Sequence, residues 1–230
     1  MQTSSAETLL EAPTESLKGF SGAYRSAGRR ARITTILLGI VGFIALLSTI
    51  QDGLGFGLIE DARMGLLTAE EANKFDAGTA HLALMTLGAE LVTAIAFLAW
   101  LSRTVDNIPA LRGGRPLVTP RWSIGWWFIP FANLIKPYQI VRDVHDRMAI
   151  GASSSGGWIV LAWWLSWVAG RVIAAIAELV PQPINPEAIN LDALAKQFSF
   201  RGIADSLTLL GALLAIVVVL RIQWRAEARA

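Results

Sequence analysis

Four stretches of this sequence are apolar over nearly the length needed to cross a bilayer, whose roughly 30 Å hydrocarbon core takes about 20 helical residues. Residues 33–50 contain no charged side chain, and residues 80–101 contain only Glu90. Residues 157–180 contain Arg171 and Glu178, and residues 203–220 contain only Asp205. In hydrocarbon a backbone must satisfy its own hydrogen bonds. These stretches therefore predict an all-α integral membrane protein with four transmembrane helices.

Composition agrees. Of the 230 residues, 53% are hydrophobic and 17% charged, and the mean hydropathy is +0.49. A soluble domain carries about a quarter charged residues. The absence of Cys removes disulfide frameworks, cysteine-based zinc sites and thiol nucleophiles together. The first apolar stretch starts too late for a secretory signal. Residues 1–32 are expected to form a flexible cytoplasmic tail, residues 33–222 a single membrane domain, and residues 223–230 a short second tail.

Residues 122–141, WSIGWWFIPFANLIKPYQIV, are long enough to span but contain Pro130, Asn133, Lys136 and Pro137. Two prolines free backbone carbonyls that lipid cannot satisfy, so a re-entrant or interfacial segment is expected. Lys and Arg in short loops favour the cytoplasmic side. With four crossings and both termini inside, fifteen basic residues fall inside and four outside. A fifth crossing through 122–141 would leave eleven inside and eight outside. The four-crossing arrangement also gathers Trp100, Trp122, Trp126, Trp127, Trp158 and Trp224 into a belt at the inner interface, where Trp concentrates. Outside lie two acidic loops, 51–79 and 181–202. The first holds a short helix opened by Thr68 and Glu71 at capping-box spacing. Formal charge then divides into +8 inside, −4 outside and −2 within the membrane, which conceals a polarised molecule behind a net +2.

The segment GWWFIPFANLIKPYQIVRDV, preceded by WLSRTVDNIPALRG and followed by an aromatic-rich helix from about Trp163, resembles a bacterial multi-pass membrane family, domain of unknown function 4328. The resemblance is carried by Trp100, Arg103, Asn107, Gly125, Trp126, Trp127, Pro130, Asn133, Leu134, Pro137 and Tyr138, within residues 80–170. It implies a protein of the bacterial cytoplasmic membrane and transfers no activity, cofactor or catalytic residue.

Ionisable residues inside a membrane are costly and point to function. At about 1.5 Å rise per residue, Glu90 lies roughly 15 Å below the outer end of its stretch. On the same measure Arg171 lies roughly 13 Å below the outer end of its own. Equal depth predicts a Glu90–Arg171 ion pair, with Asp205 and Glu178 as shallower members of an intramembrane polar cluster. Trp164, Trp167, Arg171 and Glu178 share one helical face, which sets Trp167 to stack on the guanidinium. Gly170 and Ala174 form a small-xxx-small pair. The cluster reads either as helix-packing glue or as a site facing a cavity.

The motif Trp126, Trp127, Pro130, Asn133, Pro137 and Tyr138 reads as an interfacial wedge in which Asn133 bonds the carbonyls freed by the prolines. It serves either as a brace or as the lining of a headgroup pocket, with Arg103, Arg121 and Lys136 as contacts for anionic lipid headgroups. In RDVHDR, residues 142–147, Arg142 pairs with Asp146 and Asp143 with Arg147 at i,i+4, a better account than a metal site. His81 stands alone. GASSSG from Gly151 misses the nucleophile-elbow spacing. No phosphate loop, zincin motif, cofactor site or nucleic-acid module is expected.

The sequence favours a non-enzymatic interaction or regulatory membrane module, in contact with lipid and with membrane protein partners or further copies of itself. A small carrier or channel using Glu90, Arg171 and Asp205 is the alternative. A lipid-acting enzyme is the weaker one.

Overall fold

The computed structural model describes residues 19–149, 156–181 and 190–230, and these contain helices and turns with no strand. The helices are α1 (Gly28–Arg63), α2 (Ala69–Asn107), α3 (Pro120–Gly125), α4 (Lys136–Arg147), α5 (Trp158–Glu178) and α6 (Leu191–Glu227), with 3-10 turns at Trp126–Phe128 and Ala132–Leu134. Four of them, α1, α2, α5 and α6, are long and apolar enough to cross a membrane. Their apolar side chains point outward in large number: Phe43 is 61% exposed, Leu84 70%, Leu91 62%, Ile95 63% and Leu213 53%. Water would penalise such a surface. Lipid does not.

The long helices continue past the apolar stretches that announce them. Where the sequence suggested an outer loop over 51–79, α1 runs to Arg63 and α2 starts at Ala69. Thr68 and Glu71 do form the expected capping box: the Thr68 N–H donates to Glu71 Oε2 at 3.0 Å, and the Glu71 N–H to Thr68 Oγ1 at 3.2 Å. The helix it opens is the 39-residue α2 rather than a short one. Polar side chains such as Glu, Gln and Lys are good helix formers, so a polar composition does not by itself end a helix. Likewise α6 begins at Leu191, inside the expected second loop. Residues 1–18, residues 150–155 with their GASSS, and residues 182–189 lie outside the described residues.

The chain divides into two compact units. The first comprises the chain up to Thr35, Ala94–Leu161 and Val217–Ala230. Its core gathers Trp100, Leu101, Val105 and Ile108 of α2 and the turn after it, Ile140, Val141 and Val144 of α4, and Val218, Val219 and Ile222 of α6, each at most 1% exposed. Trp100 thus belongs to this core, with its Nε1–H aimed at Gln223 Oε1 at 3.4 Å, and not to a lipid-facing belt. The polar edge of α4 holds the surrounding loops. Arg142 and Asp146 pair at 2.7 Å and Arg147 and Asp143 at 2.7 Å, as the i,i+4 spacing predicts. Arg142 Nη1 also donates to Gly157 O at 3.1 Å, Arg147 Nη1 to Gly113 O at 3.1 Å, and the Leu117 N–H to Asp143 Oδ2 at 2.9 Å. Ahead of α1, Ser21 bonds Asp106 through its N–H and hydroxyl, both at 2.8 Å. Asn107 is 1% exposed and clamps Arg25 from both sides, accepting from its N–H at 3.1 Å and donating to its carbonyl at 2.9 Å.

The second unit comprises Ile36–Thr93 and Ala162–Ile216, the remaining parts of the four long helices. A methyl group at Gly55 would fall 2.4 Å from a ring carbon of Phe198, so only glycine lets α1 meet that ring. Phe198 packs in turn on Phe75 of α2 at 5.5 Å. At Gly170 the backbone of α5 approaches α6 closely enough that an added methyl would touch Ala204 O and Leu207 Cβ at 3.4 Å, the role expected of the small-xxx-small pair.

The clamp at Asn107 gives a first test. Asn107→Ala leaves both backbone groups of Arg25 without it and is expected to destabilise the protein by about 1–3 kcal/mol. The readout is a lower unfolding midpoint of the full chain in detergent, and an unchanged midpoint would show the clamp to be idle.

Candidate functional site: a charged cavity in the second unit

Gln51 and Asp52 of α1, Asp76, Thr79 and Glu90 of α2, Arg171 and Glu178 of α5, and Arg201, Asp205 and Thr208 of α6 line one cavity of about 580 Å³. Pockets of about 300–1,000 Å³ suit small ligands. Helical periodicity builds the wall: on α2, Asp76, Thr79, Ala83, Thr86 and Glu90 follow one another at three or four residues and face the same way.

The expected Glu90–Arg171 ion pair is present, with Arg171 Nη2 donating to Glu90 Oε1. The guanidinium also lies 5.9 Å from the ring centre of Trp167, and Trp167 stacks on Trp164 at 5.0 Å. One indole face thus orients the cation while the carboxylate takes its donor. Glu178 departs from the expected pattern. Its Oε1 accepts from Arg201 Nη2 at 2.8 Å, so the partner comes from the stretch just before the fourth apolar run and not from Arg171. Asp205 lines the same cavity and has no ion pair among the described residues.

Asp52, Asp76 and Arg201 were missed in the sequence because they lie outside the apolar stretches. A signal existed, since carrying each helical face onward from Glu90 or Asp205 by steps of three and four residues reaches Asp76 and Arg201. Asp52 is the most informative. It is 6% exposed, lines the cavity, and its Oδ2 has no hydrogen-bond partner. Gln51 beside it donates to Phe75 O at 3.1 Å and joins α1 to α2.

The interfacial motif lies in the first unit. There α3 ends at Gly125, Trp126 and Trp127 start a 3-10 turn, and Pro130 precedes the second turn at Ala132–Leu134. Phe131 sits between them at φ 61°, a positive value that an aromatic residue rarely adopts, and it is 87% exposed. Phe128 is 73% exposed beside it. Pro137 is buried and opens α4 instead of breaking a helix, because the first helical turn needs no N–H from that residue. Nor does the Asn133 carboxamide bond the freed carbonyls. Its Oδ1 is buried without a partner, and the local turn is closed by the Asn133 backbone N–H to Ile129 O at 3.0 Å. Tyr138 lies on the first turns of α4, four residues before Arg142. Of the residues expected at lipid headgroups, Lys136 stands over the Trp126 ring at 5.4 Å and Arg121 is exposed. Arg103 is drawn to Asp106 at 3.9 Å.

His81 is exposed, with Nδ1 against Ala77 O at 2.6 Å. His145 is fully buried between two charges, with Nδ1 3.0 Å from Asp146 Oδ1 and Nε2 3.1 Å from Arg225 Nη1. A guanidinium can only donate, so Nε2 accepts and the ring is neutral with its proton on Nδ1. Burial pushes its pKa below the usual 6.5, and the nearby Arg225 and Arg221 act in the same direction against Asp146.

Residues 63–224 match the family described as Domain of unknown function (DUF4328). The chain belongs to this family. No curated protein and no solved structure matches it. The matched region takes in all of α2 to α5 and most of α6, and so every cavity residue except those on α1.

Two tests follow from this geometry. Replacing either Glu90 or Arg171 strands the other charge, so Glu90→Gln and Arg171→Met should each lower the unfolding midpoint in lipid nanodiscs. The double variant should lose less than the sum, with a coupling of about 0.5–2 kcal/mol. Strict additivity would mean the two side chains do not stabilise one another. For His145, the unfolded imidazole gains its proton near pH 6.5 while the folded one resists it, so the folded state binds fewer protons. Stability is therefore complete above about pH 6.5 and declines as pH falls toward the lower folded value. Between pH 6.5 and 5 the midpoint of the parent should fall more steeply than that of His145→Gln, and parallel slopes would exclude His145 as the cause.

Proposed function

We propose that this protein is a small-solute carrier or channel of the bacterial cytoplasmic membrane, with both termini cytoplasmic and the cavity of the second unit as its solute site. The observation that carries the reading is the shared cavity. Glu90, Arg171 and Asp205, singled out as the only charges deep in three apolar stretches, line one space of about 580 Å³ together with Asp52. Charges that serve only to glue helices need no such space. Placing this many ionisable groups among apolar helices is expensive, and water or a polar solute in the cavity offsets that expense. The inner excess of Lys and Arg supports the orientation. The exposed Phe128 and Phe131, beside Lys136 and Arg121, suit the 122–141 segment to the inner lipid surface.

The natural sequence has no Cys, so single substitutions label without background. Ser48→Cys, Thr86→Cys and Thr208→Cys, all on the cavity wall, should react with a membrane-impermeant thiol reagent in intact membranes. Leu84→Cys, on the exposed apolar face of α2, should not. Equal protection at all four positions would overturn the carrier reading and favour a sealed interaction module.

A further inference from the structure

The cavity contains five carboxylates, Asp52, Asp76, Glu90, Glu178 and Asp205, against two guanidiniums, Arg171 and Arg201. Each guanidinium is already bonded to one carboxylate, Arg171 to Glu90 and Arg201 to Glu178. Asp52, Asp76 and Asp205 have no ion pair among the described residues. The cavity thus carries a formal charge of −3 in its ionised state. Of the three, Asp52 is 6% exposed and its Oδ2 points to no protein donor. A carboxylate oxygen so placed among apolar helices calls for a donor from outside the chain.

We propose that the cavity binds an extended organic amine carrying two or more ammonium groups. This rests on the carrier reading and specifies its solute. Shape separates the amine from a metal ion. Among the described residues no three Asp, Glu or His side chains converge closely enough to hold a metal. Instead the acids without an ion pair stand on three helices, Asp52 on α1, Asp76 on α2 and Asp205 on α6. Leu82, Ala83, Leu87 and Ala174 add aliphatic wall to the same cavity. A polyamine has matching alternation, since its ammonium groups meet separated carboxylates and its methylene spacers lie on aliphatic wall. Asp52 and Asp205, on α1 and α6, take one ammonium, and Asp76 takes another.

The test uses the purified full chain in nanodiscs, titrated calorimetrically with spermidine, putrescine, sodium ion and glutamate. Spermidine should bind most tightly and putrescine less so. Asp52→Asn and Asp205→Asn should each weaken spermidine by at least about tenfold, as loss of one member of a desolvated charge pair does. Glu70→Gln, in an exposed pair with Lys74, should leave it unchanged. If the Asp variants do not fold, the same question is put to Thr86→Cys, whose labelling spermidine should block and glutamate should not. Tighter binding of sodium or glutamate, or no binding by any of the four, overturns the amine assignment. Labelling of Thr86→Cys without protection by spermidine overturns the amine and leaves the carrier reading standing, whereas absence of labelling at Ser48→Cys, Thr86→Cys and Thr208→Cys alike overturns both.

Discussion

Hydrocarbon cannot solvate a charge, and every ionisable group on the long helices must therefore find its partner within the protein or in water held by it. The Glu90–Arg171 contact is where this constraint acts most directly. It joins α2 to α5 inside the second unit, and the Trp167 ring lies against the same guanidinium. Gly170, one residue before Arg171, brings α5 against α6 at van der Waals distance. Small residue and charge are adjacent in sequence, so the same turn of α5 supplies both a close helix contact and the cation of the pair.

The same constraint explains why the two units are built differently. In the first, charge is spent on loops. Arg142, Arg147 and Asp143 hold loop backbone groups around α4, while Ile140, Val141 and Val144 fill the core beneath. Buried His145 can remain neutral there because Arg225 donates to one ring nitrogen and Asp146 accepts from the other. In the second unit the charges face a cavity, and carboxylates exceed the cations that could neutralise them.

How much of this was legible depended on what each residue's signal measures. Apolar runs located all four long helices, because burial in lipid imposes one composition along the whole length. They misplaced the ends. Residues 51–63 and 191–202 continue their helices through polar sequence, since helix formation depends on backbone geometry and not on the solvent outside. Equal depth identified Glu90 with Arg171, yet depth alone named no cation for Glu178, because Arg201 was assigned to a loop. Once α6 starts at Leu191, Arg201 stands one turn from Asp205 and within reach of Glu178. Asp52 was illegible for a related reason: a single acid just beyond an apolar stretch looks like an interfacial residue, and only the approach of the neighbouring helices buries it.

The 122–141 segment shows the limit of reasoning from proline. Two prolines argued correctly against a spanning helix, but they act in different ways. Pro137 starts α4, and the break itself comes from Phe131, whose positive φ reverses the chain between two short turns. Phe131 is 87% exposed, so its large apolar side chain gains no burial in a protein core. Taking such a side chain out of water is favourable by about 25 cal/mol per Å² of apolar surface. With the exposed Phe128 beside it, this outward ring supports the proposal that the turn faces the inner lipid surface.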